Sequence, residues 1–206
     1  MHLPTATAVI ADPHLGYDET RQHGGEAVPG ATLDEAFAPL ADVKARHAIT
    51  RLVIAGDLLE KCLPDGLVGR LLKVLAALRI ELAGVVPGNH DRQLSAGLLP
   101  LFPNGIVVGD WLVVHGDEPT KAERLVQGHW HPCLQLSGGQ RAPCYLRSES
   151  HIILPAFSKD AAGVNVLSRL DWNDYEVHVC AGDRVLDFGL LCELRKKLRG
   201  GGCARG

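Results

Sequence analysis

Five times along this chain, a short run or segment ends in a cluster of polar residues set beside glycine or proline. The clusters are Asp12-Pro13-His14, Gly56-Asp57, Gly88-Asn89-His90-Asp91, His115-Gly116 and Gly128-His129-Trp130-His131. The runs before them, such as Thr7–Ala11, Arg51–Ala55 and Glu81–Val86, are short and rich in Val and Ile, which is the signature of strands in an α/β layer architecture. Strand ends at one edge of an open sheet face a common crevice, so groups far apart in sequence meet there. A fold that left these five clusters scattered would make nothing of their recurrence.

The rest of the chain fits the same architecture. Further strands are expected at Ile106–Val108, Leu112–His115, Leu125–Gln127, Ala142–Leu146, His151–Phe157 and Val164–Leu167. Tyr175–Cys180 and Arg184–Phe188 read as a hairpin turning at Ala181-Gly182-Asp183. A helix is expected over Thr32–His47, opened by the capping pair Thr32 and Glu35 and kinked or split at Pro39. A second is expected from Gly66 to Leu78, with Asp65 as its cap. The pattern implies two packed sheets with helices outside.

Composition narrows the function classes. Hydrophobic residues make up 46% and charged residues 22% of 206, the balance of a folded globular chain rather than a disordered one. No apolar stretch approaches the roughly 20 residues that span a bilayer, and the N-terminus lacks signal-peptide features, so a cytoplasmic location is expected. The six cysteines show no CxxC spacing and read as reduced, mostly buried thiols. The net charge of −3 conceals an acidic body, −7 over residues 1–188, and a basic end, +4 over residues 189–206. The body, residues 1–188, reads as one domain; from Leu190 onward a short basic helix is expected that fades into Gly200-Gly201-Gly202, a flexible basic tail. An acidic body argues against a broad phosphate-tracking groove for duplex nucleic acid.

Five of the ten histidines fall in the five clusters. Imidazole, carboxylate and amide oxygen form a mixed nitrogen and oxygen set suited to Mn, Fe, Zn or Ni. The set contains seven possible ligands, more than a single site that also holds water and substrate can use. Two ions roughly 3.5–4 Å apart can bind two phosphoryl oxygens and hold a hydroxide in line with phosphorus, the geometry of phosphoester hydrolysis.

In this order the clusters resemble the signature of the calcineurin-like metallophosphoesterases: D-x-H, G-D, G-N-H-D, a lone H and G-H-x-H. The resemblance implies a four-layer α/β/β/α sandwich with a dinuclear metal site at the strand ends. It implies that Asp12, His14 and His131 bind one ion, that Asn89, His115 and His129 bind the other, and that Asp57 bridges them. It places His90 as general acid or transition-state stabiliser, with Asp91 orienting its ring. A finer likeness rests on Asp12 to Gly16, the Arg21 to Gly30 segment ending Val28-Pro29-Gly30, Asn89 to Arg92, and Leu154-Pro155-Ala156-Phe157. These are similar to the small bacterial and archaeal phosphoesterases grouped as ligase-associated DNA damage response endonucleases. That likeness implies a manganese-dependent phosphodiesterase on nucleotide or nucleic-acid substrates, single-stranded or short, with a functional link to DNA ligase. The chain departs from the pattern where Pro13 replaces the usual leucine and where Ser158-Lys159-Asp160 follows Phe157.

Arg92 is a candidate substrate contact, equally suited to a structural ion pair. A small-molecule phosphatase or cyclic-nucleotide phosphodiesterase would use the same metal core, so the motifs leave these open. A non-catalytic scaffold of this fold would have no reason to keep every ligand and His90.

Overall fold

The structure, a computed structural model, describes residues 1–27, 30, 32–60, 65–95, 97, 99–136, 139–159 and 161–200. Val28, Pro29, Cys62, Asp160 and Cys203, and the chain end beyond Gly200, lie outside the described residues. The elements are β1 (Thr7–Ala11), α1 (Tyr17–His23), α2 (Leu33–Arg46), β2 (Arg51–Ala55), α3 (Leu67–Ala77), β3 (Glu81–Val86), β4 (Ile106–Val108), β5 (Trp111–Val114) and β6 (Leu125–Gln127). There follow β7 (Pro132–Gln135), β8 (Arg141–Arg147), β9 (His151–Ile153), β10 (Val164–Asn165), β11 (Glu176–Ala181), β12 (Arg184–Leu190) and α4 (Leu191–Gly200).

Alternation along the strands builds the layers. Leu52 and Ile54 of β2 point into a core shared with Phe37 and Leu40 of α2 and Leu71 and Leu75 of α3. Val53 and Ala55, their neighbours on the opposite face, join Val113, Val126 and Leu154 in a core between the two sheets. A third core, around Cys144, Leu146, Ile153 and Val177, is closed by Leu191 and Leu194 of α4. Three cores separating four layers give the α/β/β/α sandwich. The first sheet is parallel, β1-β2-β3, and the second is mixed, β10-β7-β8-β9-β6-β5-β4, with β11 paired to β8 and β12 to β11.

Several local expectations change. Thr32 and Glu35 form the capping box, worth about 1 kcal/mol, but α2 continues through Pro39 as one helix. Pro39 sits on the exposed face, so the carbonyl it leaves unbonded can meet water. α3 is capped by Gly66 in a left-handed conformation, and Asp65 instead offers its carbonyl to Arg70 Nη1 at 3.0 Å. The strand expected over His151–Phe157 ends at Ile153. Pro155 has no N–H for a ladder, and the chain crosses between sheets: Leu154 N–H bonds Gln127 O (2.8 Å) and Phe157 N–H bonds Ala11 O (2.7 Å). Val164–Leu167 is a two-residue strand and then a 3-10 turn, because Asn165 caps the Leu167 N–H at 3.2 Å. The short basic helix expected from Leu190 is α4, Leu191–Gly200, with Leu191 fully buried. Its Arg195 is also buried and donates to the carbonyls of Val166 and Arg169.

Candidate metal centre

Parallel pairing carries the first two clusters past their strands side by side. His14 N–H bonds Asp57 O (2.9 Å), Leu15 N–H bonds Leu58 O (2.8 Å) and Glu60 N–H bonds Leu15 O (3.0 Å). The Asn89 cluster follows β3 and the His115 and His129 clusters follow β5 and β6, which are parallel to each other. The turn backbone is unusual: Asp12, His14, Asp57, His129 and His131 all have φ between 37° and 66°. Left-handed backbone costs L-residues roughly 1–3 kcal/mol each where the structure holds it, and five such residues at one place mark a site whose side-chain directions are imposed by the fold. Glycines let these turns approach closely. A Cβ at Gly56 would lie 1.7 Å from His115 Nδ1, and one at Gly88 would lie 2.2 Å from Asp57 Oδ1.

The seven expected ligands meet, in two groups. In one, His131 Nε2 is 3.4 Å from Asp12 Oδ2 and 3.4 Å from His14 Nε2. In the other, His115 Nε2 is 3.5 Å from Asp57 Oδ2, 3.1 Å from Asn89 Oδ1 and 3.2 Å from His129 Nδ1. A partner on the far ring nitrogen fixes the orientation of the near one. His131 Nδ1 is hydrogen-bonded to Ala162 O at 3.0 Å, and His14 Nδ1 lies 2.9 Å from Glu60 Oε2, a charge contact off the line of a hydrogen bond. Ring nitrogens and carboxylate oxygens thus converge with oxygen acceptors behind the rings, the arrangement of an oxygen and nitrogen site for a divalent cation.

Charge points the same way. Asp12 is 0% and Asp57 3% exposed. Among the described residues their ion pairs are with histidines alone. Asp12 Oδ1 lies 3.3 Å from His115 Nδ1 but off the line of a hydrogen bond, and it is buried without a donor. Burial pushes the Asp12 carboxyl up, and the contacts and charges of His115 and His131 outweigh that and hold it below the ordinary range. Burial, then the charge of His131, lowers His14, while burial, then the charge of His115, lowers His129. These two rings therefore keep lone pairs for a cation. In His115 and His131 burial is again the largest influence, but the Asp12 carboxylate overcomes it and raises both.

The chain shares its fold with a solved nuclease. The crystal structure of the Pseudomonas putida nuclease MPE matches 90% of this chain and 89% of its own, with a TM-score of 0.71 and 22% sequence identity. No protein-family model matches the sequence, and no curated protein matches it. The likeness is one of architecture, so the chemistry has to be argued from the side chains. Among the described residues no helix is long and apolar enough to cross a membrane.

His90 lies beside these groups, its ring 5.3 Å from that of His14. Its N–H bonds Asp57 Oδ1 at 2.9 Å, and its ring Nδ1 is hydrogen-bonded to the Glu60 carbonyl. Asp91 was expected to orient that ring; its carboxylate instead accepts the backbone N–H groups of Leu58 (3.0 Å), Leu59 (2.9 Å) and Gly88 (2.9 Å). Asp91 clamps the second and third turns together through these three backbone N–H groups. Burial pushes its carboxyl up against the pull of those donors. Arg92 is exposed beyond it.

Two contributors escaped the sequence reading. Glu60, three residues past Asp57, touches both His14 and His90, and a carboxylate at that spacing after Gly-Asp was the available signal. Trp130 stacks its edge on His129 at 5.2 Å, with the Arg169 guanidinium over its ring at 4.3 Å. Glu60→Gln is expected to weaken divalent-ion binding about 10–100-fold, the usual cost of losing a carboxylate behind a ligating histidine. Calorimetric titration with Mn(II) reads this directly, and unchanged affinity would remove Glu60 from the supporting shell.

Proposed function

We propose that the protein is a dinuclear metal-dependent phosphodiesterase acting on nucleic-acid or nucleotide phosphodiesters. The observation that carries the reading is the pair of buried carboxylates that follow the first sheet, Asp12 and Asp57, met by histidine nitrogens that follow or flank strands of the second, with no lysine or arginine ion pair among the described residues. Asp12, His14 and His131 would hold one divalent ion and Asn89, His115 and His129 the other, with Asp57 the carboxylate available to both. Ions bound there supply Lewis-acid polarisation of the phosphoryl group and activation of water as nucleophile.

The remaining work falls to the chain. His90 Nδ1 is engaged with the Glu60 carbonyl, which leaves Nε2 to deliver a proton to the leaving oxygen as the P–O bond breaks. The Glu60 carboxylate, 3.9 Å from Nδ1, offsets the charge of the protonated ring. The fold shared with the Pseudomonas putida nuclease supports a nucleic-acid substrate. The resemblance carries the reading on to manganese and to repair beside DNA ligase.

The test is a hydrolysis panel of nitrophenyl mono- and diesters, nucleotides, and single- and double-stranded DNA with Mn(II). Activity confined to monoesters would overturn the diesterase. His90→Ala is expected to slow poor leaving groups about 10²–10⁴-fold, the usual contribution of a general acid, and nitrophenyl esters much less. Equal losses on both would show that His90 stabilises charge without donating a proton.

A further inference from the structure

We propose that the groove beside the metal centre binds one strand of nucleic acid, its phosphate edge against α3 and its base edge against α1 and α2. The proposal rests on the nuclease reading above and names how its substrate is held. The groove has a volume of about 680 Å³, and Pro13, His14 and Leu15 form part of its wall, so it opens directly from the centre.

Its two sides carry opposite charge. Arg70 and Lys73 line it from α3. They are one helical turn apart and so share a face, and both are exposed. Arg70 is steadied by its hydrogen bond to the Asp65 carbonyl at 3.0 Å, which leaves other guanidinium donors free for a phosphate. Lys159 adds a third cation just past Phe157. Asp18 of α1 and Asp34 and Glu35 of α2 line the other side. The Glu35 carboxylate is bound to Thr32 N (2.8 Å) and Oγ1 (2.9 Å) and feels the charge of Lys159, so Asp34 is the acid of α2 that faces a ligand, with the charge of Asp18 adding to that side. Between the sides the lining is apolar, with Leu33, Val74 and Phe157.

A single strand matches this division. It has one anionic edge for the cations, and an opposite edge whose exocyclic amino groups donate to carboxylates. Its base faces pack on apolar and aromatic surface. A duplex presents phosphates along both outer edges, and the acidic side repels one of them. An acidic peptide meets the same repulsion. In a body of net charge −7, this basic side is where a phosphate chain finds attraction on its way to the ions.

The test is fluorescence anisotropy with a labelled single-stranded oligonucleotide of mixed A and C sequence, whose bases carry exocyclic amino groups, on the Mn(II)-loaded 206-residue protein. Arg70→Glu with Lys73→Glu is expected to weaken binding at least about tenfold and to reduce the log-log salt slope by about 1.4, at about 0.7 per phosphate contact on single strands. The ratio of kcat/KM on the oligonucleotide to that on bis(4-nitrophenyl) phosphate should fall by a similar factor, since the small diester has no flanking strand to lose. Lys196→Glu with Lys197→Glu, on the exposed side of α4, is the matched control and should leave oligonucleotide binding within about twofold. Unchanged binding in the Arg70 and Lys73 variant overturns the groove, as does an equal loss in the α4 variant, which would mean diffuse attraction. Duplex bound as tightly as single strand by the unaltered protein also overturns it. Loaded protein that hydrolyses no diester at all refutes the nuclease reading instead, while the binding comparison still decides the groove.

Discussion

Asp57→Ala is expected to strip the centre of both ions and to lower diester hydrolysis by at least about 10²–10³-fold, the scale seen when one preorganised electrostatic group is removed from an active site. Asp57 faces His115 with one oxygen and holds the His90 N–H at 2.9 Å with the other. Its loss therefore empties the shared position and releases the proton donor together. Asn89→Ala, by contrast, removes a ligand from the His115 group alone and should deplete mainly one ion. Metal analysis of the purified variants separates the cases: two tightly held ions in Asp57→Ala would end the bridging assignment. Asp57→Asn guards against misfolding, since it keeps an acceptor for the His90 N–H, whose loss would cost about 1–3 kcal/mol by itself.

The largest effect on stability is expected at Gly56. Alanine there would place a methyl 1.7 Å from His115 Nδ1, on a residue with φ of +86°. His115 is 2% exposed and has no room to retreat. Overpacking of about 1–3 kcal/mol and a left-handed penalty of about 1–2 kcal/mol together predict a loss of about 3 kcal/mol. Gly182, in the β11–β12 turn, provides the comparison: its φ is +63°, and a Cβ there meets nothing within 4 Å. Gly182→Ala should show the backbone penalty alone. Urea titration of the two variants reads the difference, and equal losses would show that Gly56 is required for its φ and not for the approach of His115.

What could be read from the sequence was whatever repeats locally. The Val and Ile runs located β1 to β3, and Thr32 with Glu35 located the start of α2, because period and capping are properties of neighbouring residues. α1 was missed: Tyr17–His23 is polar throughout and opens on Gly16 without a side-chain cap, so it carries no apolar period. β7 was missed as well, four residues beginning with a proline directly after a ligand cluster. The basic helix α4 was legible, but the place of Arg195 was not: a run of like charges reads as a solvated face, whereas this residue lies inside against two carbonyls. The convergence of the seven polar side chains was legible from their positions at strand ends. The duty of Asp91 was not, since adjacency to His90 suggests a side-chain pair, whereas the turn directs the carboxylate to N–H groups more than thirty residues away.

The candidate ligands are divided between the two sheets. Asp12, His14, Asp57 and Asn89 follow strands of the first, and His115, His129 and His131 follow or flank strands of the second. The core between the layers is made largely of small side chains, Ala11, Val53, Ala55, Val113 and Val126. Such a seam supplies less burial per residue than the leucine-rich cores on either side. Cations gripped from both layers would join them at one end of this seam, and their binding free energy would become part of the cost of parting the sheets. The same ions proposed to perform the chemistry would then couple the layers into one cooperative unit, and loss of metal would loosen the sandwich along its thinnest plane.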